Sequence, residues 1–291
     1  MIEKNLKWIF LVLLSIIWGS SFILIKKGLI GLTAYQLGSL RIIFTAFFLF
    51  LIGFKSFKKI KKIHYKPIII SSVLGTFIPV YMFALAETEI DSSIASILNS
   101  LTPLNTLIFG FFFFKMLFNR NQLFGVIIGL LGTLLLILSG AIYNPDQNYW
   151  FSVFVIIASV CYAFNVSIIK KYLQDLNAMS IAVGNFTVII IPALIVLSFT
   201  GFFEAEFISS SVVRESMYYL VLLAIFGTGI AKVMFNRLVQ ISTPIFSSSV
   251  TYTIPIVALV WGVFDGEKLN YLQIIATVII LLGVFLSNRK N

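Results

Sequence analysis

The sequence predicts an all-α integral membrane protein, and three observations support that fold class. Hydrophobic residues make up 59% of the 291 residues and charged residues only 11%, whereas soluble domains carry roughly 25% charged residues. The mean hydropathy of +1.04 is correspondingly high. The apolar residues also form runs long enough to cross a bilayer. One of them, Ser92–Phe114, carries polar residues on one helical face and has a counterpart 152 residues later.

Ten stretches are long and apolar enough for a transmembrane helix, which needs about 20 residues to cross the hydrocarbon core. They cover approximately residues 7–26, 34–53, 67–86, 92–114, 121–139, 149–169, 178–200, 216–236, 243–264 and 271–288. We number these predicted spans one to ten. The loops between them are short, so consecutive spans are antiparallel and leave no room for a soluble domain.

Lysine and arginine residues set the predicted orientation, because they accumulate on the cytoplasmic side of membrane proteins. With the N-terminus inside, fifteen of the 21 basic residues fall at cytoplasmic ends and four at outer ends. The remaining two, Arg41 and Lys232, lie within spans. The predicted topology is therefore N-in and C-in.

The two halves of the chain correspond, with five predicted spans in each. An offset of 152 residues aligns Ser96 with Ser248, Asn99 with Thr251, Pro103 with Pro255 and Gly75 with Gly227. An offset of 144 residues aligns Trp18–Ser21 in span one with Tyr162–Asn165 in span six. An odd number of spans turns the second half upside down relative to the first, as in many transporters. We therefore predict inverted five-helix repeats at residues 1–142 and 143–291.

Short motifs occur at fixed places within these spans. They are Trp18-Gly19-Ser20-Ser21-Phe22 in span one, Arg41 early in span two, the runs into Pro103 and Pro255, Gly266-Glu267 ending span nine, and the glycines of Gly129–Gly132 and Gly283. Together they resemble the EamA family of the drug/metabolite transporter superfamily over nearly the whole chain. One departure is Lys115, which stands where the family pattern has a glutamate after span four. The resemblance implies efflux of metabolites or amino acids through a central cavity.

Candidate cavity residues are polar or aromatic side chains near mid-span, where inverted-repeat transporters bind their substrates. Spans one, three and six contribute Trp18, Ser20, Ser21, Tyr81, Tyr162 and Asn165. Spans four and nine contribute Ser96, Asn99, Ser100, Ser248, Thr251 and Tyr252. For the serines, close helix packing is an equally good interpretation. Burial of the Asn99 amide or the Tyr252 phenol without a partner is costly, which favours a position on the cavity wall.

Three prolines are predicted helix breaks and candidate gating points: Pro79, Pro103 and Pro255. Each removes a backbone donor and disturbs the preceding helical turn. The carbonyl groups that are freed need other partners, and in a membrane they are tolerated where they line a cavity.

Two basic side chains fall within predicted spans. Arg41 is predicted to form a structural ion pair with an outer carboxylate such as Glu87 or Asp91, the alternative being an anionic group of the substrate. Lys232, five residues before Arg237, is predicted to snorkel to the cytoplasmic interface. All eleven acidic residues fall in loops or at span ends. We therefore predict a pocket for neutral or zwitterionic solutes without a carboxylate proton relay.

These features predict a multi-pass protein of the plasma (bacterial inner) membrane that exports small neutral or zwitterionic metabolites, such as amino acids, by alternating access. We expect a monomer without cofactor or metal, since Cys161 and His64 are the only residues of their types. The basic residues mark span ends, so nucleic acid is not an expected partner. No motif indicates a membrane enzyme. The alternative function is a lipid-handling (flippase-like) or structural membrane protein.

Overall fold

The computed structural model describes residues 2–115, 119–143, 146–204, 210–267 and 270–288, and within these ranges every regular element is helical. The α-helices are α1 (Ile2–Gly28), α2 (Ala34–Phe57), α3 (Lys62–Ser72), α4 (Ile78–Ala86), α5 (Ser92–Asn99), α6 (Thr102–Phe114), α7 (Arg120–Tyr143), α8 (Ser152–Tyr172), α9 (Ala178–Ser198), α10 (Ser211–Leu222), α11 (Ala231–Ile241), α12 (Pro244–Ser248), α13 (Val250–Phe264) and α14 (Tyr271–Asn288). A short 3₁₀ turn, Tyr149–Phe151, precedes α8.

Eight helical stretches in the described part of the chain are long and apolar enough to cross a membrane. They coincide with eight of the ten predicted spans. The other two predicted spans coincide with α7 and α14, whose described apolar stretches, Leu123–Gly132 and Tyr271–Gly283, are shorter. The chain is thus a multi-pass, all-helical membrane protein. The count of ten spans and the N-in, C-in orientation stay predictions.

Spans three and eight each contain a π-helical segment, Val73–Phe77 and Leu223–Ile230. In span three this segment lies between α3 and α4, and Pro79 follows in the first turn of α4. Proline lacks the N–H that would continue the α-helical ladder, so a local change of hydrogen bonding is expected there. Span eight has no proline at this place, and its π segment contains Gly227. Such segments are rare and frequently occur at functional sites.

Spans four and nine are interrupted. The helix α5 ends at Asn99 and α6 begins at Thr102, with Pro103 in its first turn, where a missing N–H costs nothing. The predicted break before Pro103 is therefore present. In span nine the interruption is at Ser249, between α12 and α13, and Pro255 lies inside α13. The prediction that Pro255 marks the break is wrong, because the chain turns six residues earlier.

Helix contacts made by a span in one half of the chain are matched by contacts of the corresponding span in the other half. Span one packs against spans eight and nine, and span six packs against spans three and four. Span two packs against span seven, and span five against span ten. The last pair approaches closely at Gly283, where an added Cβ would lie 2.5 Å from the Gly125 carbonyl oxygen and 2.5 Å from the Gly129 nitrogen. Large apolar side chains such as Phe112 are exposed on the outside.

Candidate functional site

A cavity lies where spans one, two, three, four, six, eight and nine converge, beside both π segments and both helix interruptions. The volume open to the centre of a water molecule is about 80 Å³. Because one water needs only about 10–15 Å³ by this measure, the cavity has room for several waters or a small solute. Its walls come from both halves of the chain. This makes it the candidate functional site.

Seven of the twelve predicted cavity residues line this cavity: Trp18, Ser21, Asn99, Tyr162, Asn165, Ser248 and Thr251. The two aromatic residues correspond at the offset of 144, and so do Ser21 and Asn165. Asn99 and Thr251 correspond at the offset of 152. Positions that correspond between the two halves of the sequence therefore hold side chains that are brought together in space. Binding of a substrate by these residues stays a prediction.

Five predicted residues lie outside the cavity. Ser96 and Ser100 donate hydrogen bonds to carbonyl oxygens three residues earlier in their own helix, so their hydroxyls are used within α5 and its C-terminal end. Tyr252 is buried in a cluster with Ile97, Ala276 and Ile280, away from the cavity. For these residues the packing interpretation fits the structure.

Ser20 and Tyr81 are also outside. Ser20 accepts a hydrogen bond of 2.9 Å from the indole Nε1 of Trp261. The Tyr81 hydroxyl pairs with the Ser39 hydroxyl at 2.8 Å, and its ring lies where a Cβ on Gly38 would clash. Tyr81 thus fastens span three to span two.

Two glycines in the π segments receive side chains from the opposite half of the chain. A Cβ at Gly227 would lie 2.5 Å from the Ser21 hydroxyl oxygen, and one at Gly75 would lie 2.5 Å from Asn165 Oδ1. The Trp18 indole also donates to the Gly227 carbonyl oxygen at 3.0 Å. These close approaches require glycine, and the two contacts correspond at the offsets of 144 and 152.

Asn165 also belongs to a polar network behind the cavity wall. Its Oδ1 accepts from the Ser71 hydroxyl at 2.7 Å, and Ser71 accepts from the Asn185 amide at 3.2 Å. Asn165 Nδ2 and Thr76 Oγ1 have no hydrogen-bond partner within the described part of the chain. Both residues line the cavity, but these two polar atoms are themselves buried behind its surface.

The two basic residues within spans both line the cavity. Lys232 is only 7% exposed and donates to the Gly75 carbonyl oxygen. The prediction that it snorkels to the interface is wrong, because its side chain crosses to span three instead. Arg41 is 8% exposed, and its Nε donates to Thr228 Oγ1 at 2.7 Å. The predicted ion pair with Glu87 or Asp91 is not formed, since none of the described ion pairs includes Arg41.

An ionic cluster connects the ends of spans one, four and nine that are predicted to face outward. Lys26 pairs with Asp265 and with Glu267, each at 2.9 Å, and Lys27 pairs with Asp265. Glu267 also accepts hydrogen bonds from the backbone and hydroxyl of Ser93. Burial alone would raise the pKa of Asp265, but the hydrogen bonds from Lys27 and Lys26 lower it.

The opposite end has no equivalent cluster among the described ion pairs. Lys170, which corresponds to Lys26, donates to the carbonyl oxygens of Gln240 at 3.0 Å and Val239 at 3.3 Å. Lys115 corresponds to Glu267 and takes a left-handed backbone conformation, with φ of 53°, at the end of α6. The replacement of a carboxylate by Lys115 thus leaves Lys170 with neutral partners.

Glu87 follows α4 and is 8% exposed. It accepts a hydrogen bond of 2.9 Å from the Ser92 hydroxyl, while its second oxygen has no partner in the described residues. Burial raises its pKa well above the usual value, and the negative charge of Glu267 raises it further, although Ser92 and the charges of Arg41 and Lys26 oppose this. Its position at a span end agrees with the sequence, but its burial was not expected.

A family model describing EamA-like transporters matches residues 6–138 and again residues 150–289. The chain belongs to the EamA-like transporter family. The two matches together cover most of the chain, and the spans that line the cavity fall within them. The resemblance inferred from the short motifs is therefore confirmed, and so is the general assignment to membrane transporters.

Curated relatives of this EamA-family protein are similar over most of their length. The uncharacterized inner membrane transporter YedA of Escherichia coli K12 is 25% identical over 94% of this chain and 87% of the relative. An uncharacterized transporter of Archaeoglobus fulgidus is 24% identical over 98% and 99%, and the uncharacterized transporter YoaV of Bacillus subtilis is 25% identical over 94% and 93%. A solved crystal structure shares the fold, with a TM-score of 0.68 at 15% identity over 98% of this chain and 96% of that one.

Proposed function

We propose that this EamA-family protein carries a small solute across the membrane by alternating access around the central cavity. The observation that carries the proposal is the position of the cavity, between two π segments and two interrupted helices, with corresponding residues of both halves in its walls. Interrupted helices beside a site at the repeat interface are typical of such carriers. The Trp18–Gly227 contact and the Asn165–Gly75 contact give each half an equivalent role at that site.

We further propose that residues 1–142 and 143–291 form the two inverted repeats, with ten spans and both termini in the cytoplasm. The packing of span one against spans eight and nine, mirrored by span six against spans three and four, supports this arrangement. The excess of basic residues at the ends assigned to the cytoplasm supports the orientation. Export from the cell across a bacterial plasma membrane is the proposed direction. It follows the resemblance to efflux carriers and the inner membrane location in the name of the relative YedA.

The test is uptake of a panel of labelled amino acids, keto acids, purines and sugars into proteoliposomes. The variant Thr251→Trp places a bulky side chain on the cavity wall, whereas Val260→Trp makes the same change on the exposed face of the same helix. We expect Thr251→Trp to abolish uptake of the transported solute and Val260→Trp to leave it unchanged. Equal uptake by both variants would show that the solute does not pass through this cavity.

A further inference from the structure

We propose that the solute is a small organic anion, a carboxylate on an apolar body, and that Arg41 and Lys232 hold its charged group. This inference rests on the proposed transport function, because it assigns the substrate class of the same cavity. It replaces the expectation of a neutral or zwitterionic solute. That expectation considered only the missing carboxylates and placed Lys232 at the interface.

Both cations are buried, and neither forms an ion pair with the described residues. None of the described residues that line the cavity is acidic. Arg41 uses only Nε in a hydrogen bond to protein, so its two terminal nitrogens have no partner in the described part of the chain. Lys232 has three N–H donors and donates one hydrogen bond, to the Gly75 carbonyl. A buried charge is costly unless it is paired, and a bound anion would supply the missing partner.

Much of the remaining wall is apolar, beside uncharged polar side chains such as Asn99 and Thr251. Aromatic rings from both halves pack in sequence around the cavity: Trp18 with Phe235 at 5.0 Å, Phe22 with Phe83 at 5.6 Å, and Phe83 with Tyr162 at 6.1 Å. Such walls bury an apolar body favourably, while the few polar groups fix its orientation. The cavity therefore fits a carboxylate that carries an aliphatic or aromatic group better than a sugar or a polyanion.

The pair of cations also distinguishes an anion from a zwitterion or an amine. Arg41 and Lys232 both line the cavity, so an ammonium group brought between them would be repelled by both. No described carboxylate on the wall could hold that ammonium group. The carboxylate of an amino acid would be attracted to the two cations, and its ammonium group would be repelled by them. The corresponding acid without the amine would only be attracted.

The experiment uses three solutes that share one isobutyl group and differ in their charged groups. These are 4-methyl-2-oxopentanoate, an anion that stays ionised at neutral pH, leucine, which is zwitterionic, and 3-methylbutylamine, which is a cation. Uptake of each into proteoliposomes is corrected for leakage into protein-free liposomes. Binding of each in detergent is measured independently as the rise in melting temperature, since a ligand that binds the folded state stabilises it.

We expect uptake and stabilisation in the order keto acid, leucine, amine. Lys232→Met keeps the length of the side chain without its charge and should weaken keto acid binding about 10- to 100-fold, the usual effect of losing a hydrogen bond to a charged group. Lys66→Met, at an exposed lysine, is the matched control and should change it less than about twofold. Lys232→Arg keeps the charge and should retain more binding than Lys232→Met.

Leucine or the amine matching the keto acid in binding would overturn the inference, and so would unchanged keto acid binding by Lys232→Met. Failure of the inference can be told apart from failure of the transport proposal. If leucine is taken up, and Thr251→Trp blocks this uptake while Lys232→Met leaves it intact, the transport function stands and the anionic substrate is refuted. If the keto acid binds and its binding requires Lys232, but no solute is taken up, the anion site stands and the transport function is refuted.

Discussion

The contact between spans five and ten offers a sharp test of the packing, through the pair of variants Gly283→Ala and Gly129→Ala. A Cβ at Gly283 would lie 2.5 Å from two backbone atoms of span five, whereas ordinary van der Waals contact begins at 3.4 Å. The helices must therefore separate locally by about 0.9 Å (3.4 minus 2.5) or tilt. Backbone atoms cannot swing aside as a side chain would, so the contact itself is weakened.

The expected cost of Gly283→Ala is about 1–3 kcal/mol, the usual range for overpacking in a closely packed interior. This corresponds to roughly a 5- to 150-fold change in the ratio of folded to unfolded protein. At Gly129 a Cβ would meet no atom within 4 Å. Gly129→Ala should therefore be neutral, or stabilising by up to about 1 kcal/mol because alanine favours the helix.

Both variants can be compared with the native protein by titrating the detergent-solubilised protein with SDS and following the loss of helical circular dichroism. The difference in unfolding midpoint between Gly283→Ala and Gly129→Ala measures the contact directly, since the two substitutions add the same methyl group, one against the backbone of the other helix and one into open space. Equal midpoints would refute the close approach of these two helices.

Three further predictions concern single side chains. Because burial raises the pKa of Glu87, stability should be fully present below about pH 4.5 and fall as the pH rises through the native pKa. Glu87→Gln should flatten that decline in melting temperature, and an unchanged decline would argue against burial of the charge. The pKa of Asp265 is lowered, because hydrogen bonds from its lysine partners outweigh burial, so its contribution to stability is present above about pH 3.8 and lost below it. Asp265→Asn should therefore lose less stability on acidification, as differential scanning fluorimetry at two pH values will show. Trp18→Phe removes the hydrogen bond to the Gly227 carbonyl and should lower the free energy of unfolding in SDS by about 0.6 kcal/mol; no change would mean that this bond is replaced.

The sequence was informative where the chain repeats itself. The correspondence of Trp18–Ser21 with Tyr162–Asn165, and of Gly75 with Gly227, led to residues that meet at the cavity. The reason is physical. A glycine that lies against a side chain of another helix leaves no room for a Cβ atom, and a repeated fold places such a glycine in each half. Hydropathy likewise predicted the membrane-spanning helices, because a run of about 20 apolar residues has the length and composition needed to cross the hydrocarbon core.

The sequence was misleading where a place in the same helix was taken to imply a place at the cavity. Ser96 lies in α5 with Asn99, and Tyr252 follows Thr251 in α13, yet of these four residues only Asn99 and Thr251 line the cavity. The Ser96 hydroxyl bonds within its own helix and Tyr252 packs against span ten, which the pattern within one span does not reveal.

Lys232 was misplaced for a related reason. Its distance along the chain from the membrane boundary does not show that its side chain crosses to the Gly75 carbonyl. The position of a buried cation depends on the carbonyls of another span, which no pattern within span eight reveals.

The unequal ends of the molecule have a consequence for the carrier cycle. Lys26 is held by two carboxylates at one end, while the hydrogen bonds of Lys170 at the other end go, among the described residues, to two backbone carbonyls. Attraction between full charges is screened by salt more strongly than attraction between a charge and a fixed dipole. In the proposed carrier cycle, two conformations that close opposite ends would therefore be unequal in free energy. Ionic strength becomes a means of shifting the balance between them, and the rates of movement in the two directions should respond to it differently.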